Sequence, residues 1–409
     1  MKQERIEELA NFYKRALLDD VVPFWLNHSL DREYGGYLHF LDRDGTIFGT
    51  DKSIWMEGRE TWLFSRLYNS VEQKKEWLDA AKLGRDFIMN HGFDQDGRMF
   101  LLLTRDGLPL RKHRYLFAEC FGVMGLAEYS RASGDQEALQ KAKDTYELVV
   151  QLYRTRDYAG LANYGITPKV IPETRTTKSL AMPMMLICIS QELRRLGPDP
   201  LYDETIDLSI HEILRDFMKP NKNVLLETVG LNGEMFLDLP EGRLINPGHD
   251  IEVAWFLMHE GLHRKDNSLI DSALQIIDWS LEWGWDKKYG GLLYFVDIGG
   301  KPPGMLEWDM KLWWPHNEAL YALLLANHIT GEDKYLVWYE KVHEWAFNHF
   351  PDPEYGEWFG YLHRDGTVSL SLKGSMWKGA FHLPRCLLFC WKLLEKMKDQ
   401  VEYDPCAES

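Results

Sequence analysis

An internal repeat of about 66 residues is the feature of this sequence that most constrains its fold. The segment DKKYGGLLYFVD from Asp286 to Asp297 matches DREYGGYLHFLD from Asp31 to Asp42. Six copies of varying strength begin at residues 31, 94, 157, 221, 286 and 352, with spacings of 63, 63, 64, 65 and 66 residues. Six such units account for almost the whole 409-residue chain, so the architecture is that of a repeat protein.

Each copy combines a turn, a short apolar or aromatic run and a second Asp-Gly or Gly-Gly turn, which is typical of a small hairpin. The stretches between copies have helical periodicity. One buried helix is predicted from His316 to Ala326 and an amphipathic one from Tyr335 to Phe350, and an apolar helix from His249 to Leu262 repeats this order. Twelve helices in six pairs predict an all-α fold, an (α/α)6 barrel of six helical hairpins with short β-hairpins or loops at one end. An open-ended solenoid is the alternative.

The boundaries and the location of the protein are also predicted from the sequence. Residues 1–400 are expected to form one catalytic barrel and residues 401–409 a disordered tail. The net charge of −16 argues against a nucleic-acid partner, which requires clustered basic residues. No signal peptide or membrane span is apparent, and the five cysteines have no CxxC spacing. We therefore expect reduced thiols and a cytoplasmic protein without a membrane partner.

Equivalent positions in successive units face the same axis, so the repeat predicts which side chains converge. His249, His316 and His382 are separated by 67 and 66 residues, and each is expected in the first turn of an inner helix. Glu252 and Glu318, 66 residues apart, fall on the same faces. The earlier units place Arg59, Glu119 and Lys178 near the same rim. Acid and base groups that converge in an aromatic cavity indicate an enzyme site, although each one alone is more often structural.

One competing motif is HEGLH from His259 to His263, which has the HExxH spacing of zinc proteases. It is predicted at the far end of its inner helix, away from the converging side chains, and no third ligand with family spacing follows. We therefore predict no metal site. No glycine-rich phosphate loop or dinucleotide-binding fingerprint is present either.

Several long, tryptophan-rich motifs resemble the N-acylglucosamine 2-epimerase family, also called renin-binding proteins. They are IWMEGR from Ile54, NPGHDIE from Asn246, LEWD from Leu306, KLWW from Lys311, DPEYGEWFG from Asp352 and WKGAFHLPR from Trp377. The resemblance extends from about residue 5 to residue 395. The fold of that family is a six-hairpin α/α barrel, which agrees with the repeat count.

The resemblance implies interconversion of N-acetyl-D-glucosamine and N-acetyl-D-mannosamine by two-base proton transfer at C2 of the open-chain sugar. It also implies an acid/base pair, His249 and His382, and essential roles for Arg59, Glu318 and Arg385. The residues themselves suit this chemistry, because Glu252 and Glu318 lie where they are expected to orient the imidazoles. The complete prediction is that His249, His382, Arg59 and Glu318 are catalytic and that Glu252, Arg385, Glu119, Lys178, His316 and Trp314 bind substrate.

The resemblance carries further expectations. The chemistry requires no cofactor, ATP acts as an allosteric activator that is not consumed, and the chain forms a homodimer. Related cellobiose 2-epimerases and mannose isomerases carry an extra histidine on the third inner helix, where this chain reads AMPM from Ala181 to Met184. That departure favours an N-acyl sugar over a disaccharide or a free hexose.

Three alternatives remain open at this point. The first is another sugar epimerase or isomerase, of the cellobiose or mannose type. The second is an α/α-barrel glycoside hydrolase, in which Glu119 with Glu252 or Glu318 forms the required pair of carboxylates. The third is a protein-binding scaffold without catalysis.

Overall fold

A computed structural model describes residues 1–112, 116–155 and 174–399 of the chain. The repeat copy predicted at Asp157 and the predicted tail lie outside these residues. Thirteen α-helices are described: α1 Gln3–Arg15, α2 Val22–His28, α3 Ile54–Ser70, α4 Lys75–His91, α5 Phe117–Ser133, α6 Gln136–Thr155, α7 Ala181–Arg194, α8 Pro200–Glu212, α9 Pro247–Arg264, α10 Asn267–Gly284, α11 Trp313–Thr330, α12 Asp333–His349 and α13 His382–Asp399. Short π-helical segments, Ala16–Val21 and Ile213–Phe217, extend α1 and α8.

The odd-numbered helices from α3 to α13 form the inner ring, and the others surround it. In α11 every residue from Trp313 to Asn327 is buried, because the helix is apolar on all sides. The outer helix α12 buries a single face, made by Tyr335, Tyr339, Val342, Trp345 and Ala346 at helical spacing. This division into a wholly buried and a half-buried helix in each unit confirms the prediction from periodicity.

Contacts between the first and last units close the ring. Trp62 on α3 packs edge to face on Phe389 of α13, with ring centroids 6.3 Å apart. On the outside, the hydroxyl groups of Tyr13 on α1 and Tyr339 on α12 are 2.7 Å apart. An open-ended solenoid has no such contacts, so the closed (α/α)6 barrel is the correct alternative.

Fourteen short strands are described. They are β1 Phe40–Leu41, β2 Ile47–Gly49, β3 Lys52–Ser53, β4 Phe100–Leu103, β5 Pro109–Lys112, β6 Thr177–Ser179, β7 Met218–Lys219, β8 Val224–Leu225, β9 Thr228–Gly230, β10 Leu244–Ile245, β11 Val296–Asp297, β12 Lys311–Leu312, β13 Tyr361–Leu362 and β14 Val368–Leu370. The antiparallel sheets are β1-β2, β3-β4-β5, β6-β9, β7-β8, β10-β11 and β12-β13-β14. Strands β3, β6, β10 and β12 each lead into an inner helix and pair with a strand of the next unit. The hairpins therefore lie at the end of the barrel where the inner helices begin, as the repeat predicts.

Buried ion pairs recur at this hairpin end. The first aspartate of the repeat copy receives the ammonium group of a lysine near the start of an inner helix. The pairs are Lys52 with Asp31 at 2.9 Å, Lys311 with Asp286 at 3.2 Å and Lys373 with Asp352 at 3.1 Å. The Gly-Gly turn that follows has positive φ, and a Cβ on Gly36 would lie 2.5 Å from the Glu57 carboxylate. Each of these repeat copies thus contains both the turn and the aspartate of the ion pair. We call these ion pairs the hairpin anchors.

Candidate active site

Three charged side chains occupy the same level of the barrel because they have the same register in their helices. Arg59, Glu252 and Glu318 are each the sixth residue of their inner helix, in α3, α9 and α11 respectively. All three are buried, with 6%, 5% and 3% exposure. Side chains at one height and register on neighbouring inner helices point toward the same axis. They form the floor of the hairpin-end cavity.

The two predicted catalytic histidines both pack against one indole. The ring centroid of Trp314 is 5.2 Å from that of His249 and 5.6 Å from that of His382. His249 is on α9, Trp314 on α11 and His382 on α13, so the three rings follow the curvature of the barrel. The structure therefore brings together two imidazoles that are 133 residues apart in sequence.

His382 is buried and held from both ring nitrogens. Its Nδ1 lies 2.6 Å from Oε1 of Glu318, and its Nε2 lies 3.3 Å from a terminal nitrogen of Arg59. A guanidinium can only donate, so Nε2 accepts and Nδ1 carries the hydrogen that is donated to Glu318. Burial and the nearby Arg59 charge lower the pKa of His382 well below its usual 6.5. His382 is thus a neutral imidazole whose Nε2 lone pair accepts a hydrogen bond from Arg59.

The pKa of His249 is shifted in the opposite direction to that of His382. Its Nδ1 lies 2.9 Å from Oε2 of Glu227, and its side chain is 25% exposed against 9% for His382. Burial alone lowers the pKa of His249, but the charge and the hydrogen bond of Glu227 outweigh it, so the pKa is raised above 6.5. Two titratable groups with pKa values pushed in opposite directions mark an acid and a base.

Sequence reasoning missed Glu227. It lies between β8 and β9, so no inner-helix periodicity identifies it. Its backbone N–H donates to Leu244 of β10, and its Oε1 accepts a hydrogen bond of 3.2 Å from Ser179 Oγ. The only available signal is that Glu227 lies in the repeat copy that begins at residue 221, which is predicted to be a hairpin at this end. These contacts fix the carboxylate that holds His249.

Arg385 joins the carboxylates of the floor. It donates to both Glu252 and Glu318, the latter at 2.8 Å, and the indole N–H of Trp255 donates to the second oxygen of Glu318 at 2.8 Å. The expectation that Glu252 orients an imidazole is wrong, since its carboxylate binds Arg385 instead. The expectation for Glu318 is confirmed, because the same carboxylate holds His382.

Arg59 projects from α3 among aromatic rings. Its guanidinium lies 4.1 Å from the centroid of Phe121, 4.8 Å from that of Phe381 and 5.1 Å from that of Trp55. Its Nε–H has no hydrogen-bond partner among the described residues. A desolvated cation beside His382 is suited to stabilising negative charge on a substrate oxygen.

His316 is not at the cavity, contrary to the prediction. Its Nε2 accepts the N–H of Leu292 at 2.9 Å, its Nδ1 donates to the carbonyl of Leu312 at 2.7 Å, and its ring stacks on Trp345 of the outer helix. His249 is the third residue of its helix, but His316 is the fourth of its own. One residue rotates a side chain by about 100°, which turns His316 outward.

Glu119 and Lys178 likewise have structural partners instead of a place in the cavity. Glu119 pairs with Arg98 and accepts the N–H of Met99 at 3.0 Å. Lys178 pairs with Asp216 and, at 2.8 Å, with Glu212. Both residues thus hold segments of the hairpin end, so their predicted substrate contacts are corrected to structural roles.

Neither of the two possible metal sites among the described residues is well suited to an ion. Ligand atoms of Glu252, Glu318 and His382 lie within 4.8 Å of one another, but the guanidinium of Arg385 already bridges the two carboxylates. In the HEGLH motif, Glu260 is bound by arginines 194 and 264, and His263 is exposed at the end of α9. The arrangement agrees with the prediction of no metal site, which stays a prediction.

Among the described residues, no helix is long and apolar enough to cross a membrane.

A closed α/α barrel that carries one histidine of raised pKa and one of lowered pKa at its mouth is typical of an acid/base enzyme. A model of the N-acylglucosamine 2-epimerase family matches residues 35–386. The N-acylglucosamine 2-epimerases of Mus musculus and Bos taurus are 37% and 39% identical to this chain, covering 100% and 93% of it and 98% and 90% of their own lengths. The chain belongs to the N-acylglucosamine 2-epimerase family and is an isomerase that acts on carbohydrates.

Solved structures confirm the fold. Cellobiose 2-epimerase from Bacillus thermoamylovorans B4167 superposes with a TM-score of 0.81 at 22% identity, covering 95% of this chain and 100% of its own. A D-mannose isomerase superposes with a TM-score of 0.79 at 19% identity, covering 94% and 98%. At these identities the likeness establishes the (α/α)6 barrel alone.

Proposed function

We propose that this chain interconverts N-acetyl-D-glucosamine and N-acetyl-D-mannosamine by transferring protons at C2 of the open-chain sugar. The observation that carries the proposal is the pair of imidazoles that pack against Trp314, one with a lowered and one with a raised pKa. Inversion at carbon requires a base on one face and an acid on the other. The names of the most similar relatives identify the same substrate class.

The proton transfers balance without a co-reactant. The C2–H bond, made acidic by the neighbouring aldehyde, breaks, and its proton goes to the lone pair of His382 Nε2. The electron pair forms the C1–C2 double bond, and the carbonyl pair moves onto the C1 oxygen, which gives an enolate. His249, protonated at Nε2, then returns a proton to the opposite face of C2 and forms the new C–H bond. In the reverse reaction the two imidazoles exchange roles.

In this proposal Arg59 stabilises the negative charge that develops on the substrate oxygen. A terminal N–H of Arg59 donates to His382 Nε2 over 3.3 Å, so a substrate that places C2 at that nitrogen displaces this hydrogen bond and brings its oxygen to the freed N–H of Arg59. A positioned cation in a dry cavity stabilises the enolate far more than the neutral substrate. Glu318 fixes the tautomer of His382, and Arg385 holds Glu318 in place.

Trp314 supplies the apolar surface between the two bases. An indole face packs well against the C–H face of a sugar, and the tilt of about 39° to each imidazole leaves its face directed to the space between them. We propose that this ring holds C2 of the sugar at a similar distance from His249 and His382. Glu252 acts indirectly, through Arg385.

The remaining expectations of the family resemblance belong to the proposal as well. They are the absence of a required cofactor or metal, activation by ATP, a homodimer and a cytoplasmic location. ATP activation and dimerisation rest on the resemblance alone.

A glycoside hydrolase is less well supported. It needs a protonated carboxylic acid beside a second carboxylate. Of the three carboxylates considered, Glu119 is paired with Arg98, and Glu252 and Glu318 both receive Arg385. None is free to protonate a leaving group.

Proton NMR in heavy water tests the proposal. N-acetylglucosamine incubated with the protein is expected to yield N-acetylmannosamine with deuterium at C2. A cleaved or unchanged sugar without deuterium at C2 would overturn it.

A further inference from the structure

A second cavity lies deeper in the barrel, beyond the floor of the site. It encloses about 480 Å³, counted with its opening to solvent. Its lining consists of apolar residues such as Met124, Phe256 and Phe389 together with the charged residues Arg66, Arg195, Glu192 and Arg385. Arg66 is seven residues beyond Arg59 on α3, which places it about 10 Å further along the helix. None of the proton-transfer steps proposed above uses this cavity.

Arg66 is the exceptional member of the lining. Its side chain is 4% exposed, and its Nε and one terminal nitrogen have no hydrogen-bond partner among the described residues. A buried guanidinium normally has its donors satisfied, because desolvation without compensation is costly. The nearest carboxylate oxygen, on Glu128, lies 3.7 Å away, beyond hydrogen-bond distance.

Three arginines share that one carboxylate. Arg131 and Arg195 lie 3.7 and 3.8 Å from Glu128, so none of the three makes a close ion pair with it, and Arg195 also lies 3.5 Å from Glu192. The other carboxylate of the group is Glu192, and burial raises its pKa to about 7, so that it carries only part of a charge at neutral pH. The cluster therefore has an excess of at least one positive charge in a cavity with apolar walls.

We propose that this cavity is a binding site for a small oxyanion, a carboxylate or an inorganic phosphate, held by Arg66 and Arg195. The planar fork of a guanidinium fits two oxygens of such a group. An oxyanion supplies the negative charge that the cluster lacks and accepts from the unused donors of Arg66. Arg385 and Trp255, which both donate to Glu318, also line this cavity, so the site adjoins the proposed reaction centre. Its occupancy is measured without turnover.

Calorimetric titration and thermal unfolding of the full-length protein test this site, with inorganic phosphate and propionate as probes and chloride at matched ionic strength as reference. Because the chain has a net charge of −16, diffuse anion binding elsewhere is weak. At least one probe is expected to bind saturably and to raise the unfolding temperature above that in chloride. The probe that does so identifies the kind of oxyanion.

Two variants and a control locate the binding. Arg66→Met is expected to weaken binding at least about tenfold, and Glu192→Gln, which removes a like charge, to tighten it. Arg154→Met removes an exposed arginine on α6 and is expected to leave binding unchanged. If Arg66→Met does not fold, the Glu192→Gln result decides. Two results would overturn the proposal. One is that phosphate, propionate and chloride have the same effect on the unaltered protein. The other is that neither Arg66→Met nor Glu192→Gln changes the binding.

Discussion

The Nδ1 atom of His249 lies 2.9 Å from Oε2 of Glu227, which joins the start of an inner helix to a strand of the hairpin end. This contact holds the imidazole at the mouth and raises its pKa, whereas the pKa of His382 is lowered by burial and by Arg59. The electrostatic difference between two otherwise similar histidines follows from their partners. It gives the site an acid and a base before substrate binds.

Replacing Glu227 by Gln is expected to shift the pH profile of kcat/KM. In the direction where His249 acts as the acid, activity is present below its pKa and is lost as the pH rises through it. Without the carboxylate that pKa falls, so the basic limb moves to lower pH. Glu241→Gln, at an exposed glutamate in the same region, is the control and should leave the profile unchanged. Identical profiles for Glu227→Gln and the unaltered protein would contradict the assignment.

Glu318→Gln tests the orientation of His382. An amide in place of the carboxylate can present its NH2 group to Nδ1, which stabilises the wrong tautomer and takes the lone pair away from Nε2. We expect kcat to fall by roughly 10²–10⁴-fold with a smaller change in KM. Steady-state kinetics beside Glu344→Gln, an exposed control on α12, measures this. A loss confined to KM would mean that Glu318 only binds substrate.

His316→Ala should produce the opposite pattern to substitution of a catalytic histidine. It leaves the N–H of Leu292 unsatisfied and opens a cavity beside Trp345, so we expect about 2–4 kcal/mol less stability. Urea unfolding measures the stability, and kcat per folded molecule should remain within a few-fold of the original. A large fall in kcat at unchanged stability would restore His316 to the site.

The hairpin anchors predict an acid-sensitive fold. Burial raises the pKa of Asp31, but hydrogen bonds from Arg105 and Lys52 outweigh it and lower this pKa to about 2. A carboxylate with a lowered folded-state pKa stabilises fully above its unfolded value near 3.9, and this contribution is lost as the pH falls toward 2. The urea concentration at the midpoint of unfolding is measured at pH 7, 4 and 3. It should fall with decreasing pH less in Asp31→Asn than in the unaltered protein. Parallel declines would exclude this role for Asp31.

The sequence was sufficient for the barrel because the repeat spacing determines how many helical pairs there are and which end carries the hairpins. The sequence was also sufficient to place Arg59 and Glu318 in the site, because both have the same register in their helices and therefore lie at the same level. Spacing alone gave the height of His316 but not its direction, since a one-residue offset in helix start rotates the side chain outward. Periodicity likewise could not distinguish Lys178, which anchors a hairpin, from a residue facing the axis.

The role of Glu227 could not be predicted from the sequence for a different reason. Its approach to His249 depends on the pairing of β9 with β6 and on the backbone bond to Leu244, both of which connect distant segments. No local pattern encodes such a contact. The split between the two histidine pKa values is likewise a property of the assembled site.

Deuterium exchange by the single-histidine variants tests the central claim most directly. In heavy water, His249→Ala and His382→Ala should each fail to interconvert the two sugars while still exchanging the C2 hydrogen of one of them, because one base remains. The two variants are expected to label opposite sugars, one N-acetylglucosamine and the other N-acetylmannosamine. Exchange into the same sugar by both variants, or interconversion that survives either substitution, would contradict the two-base account.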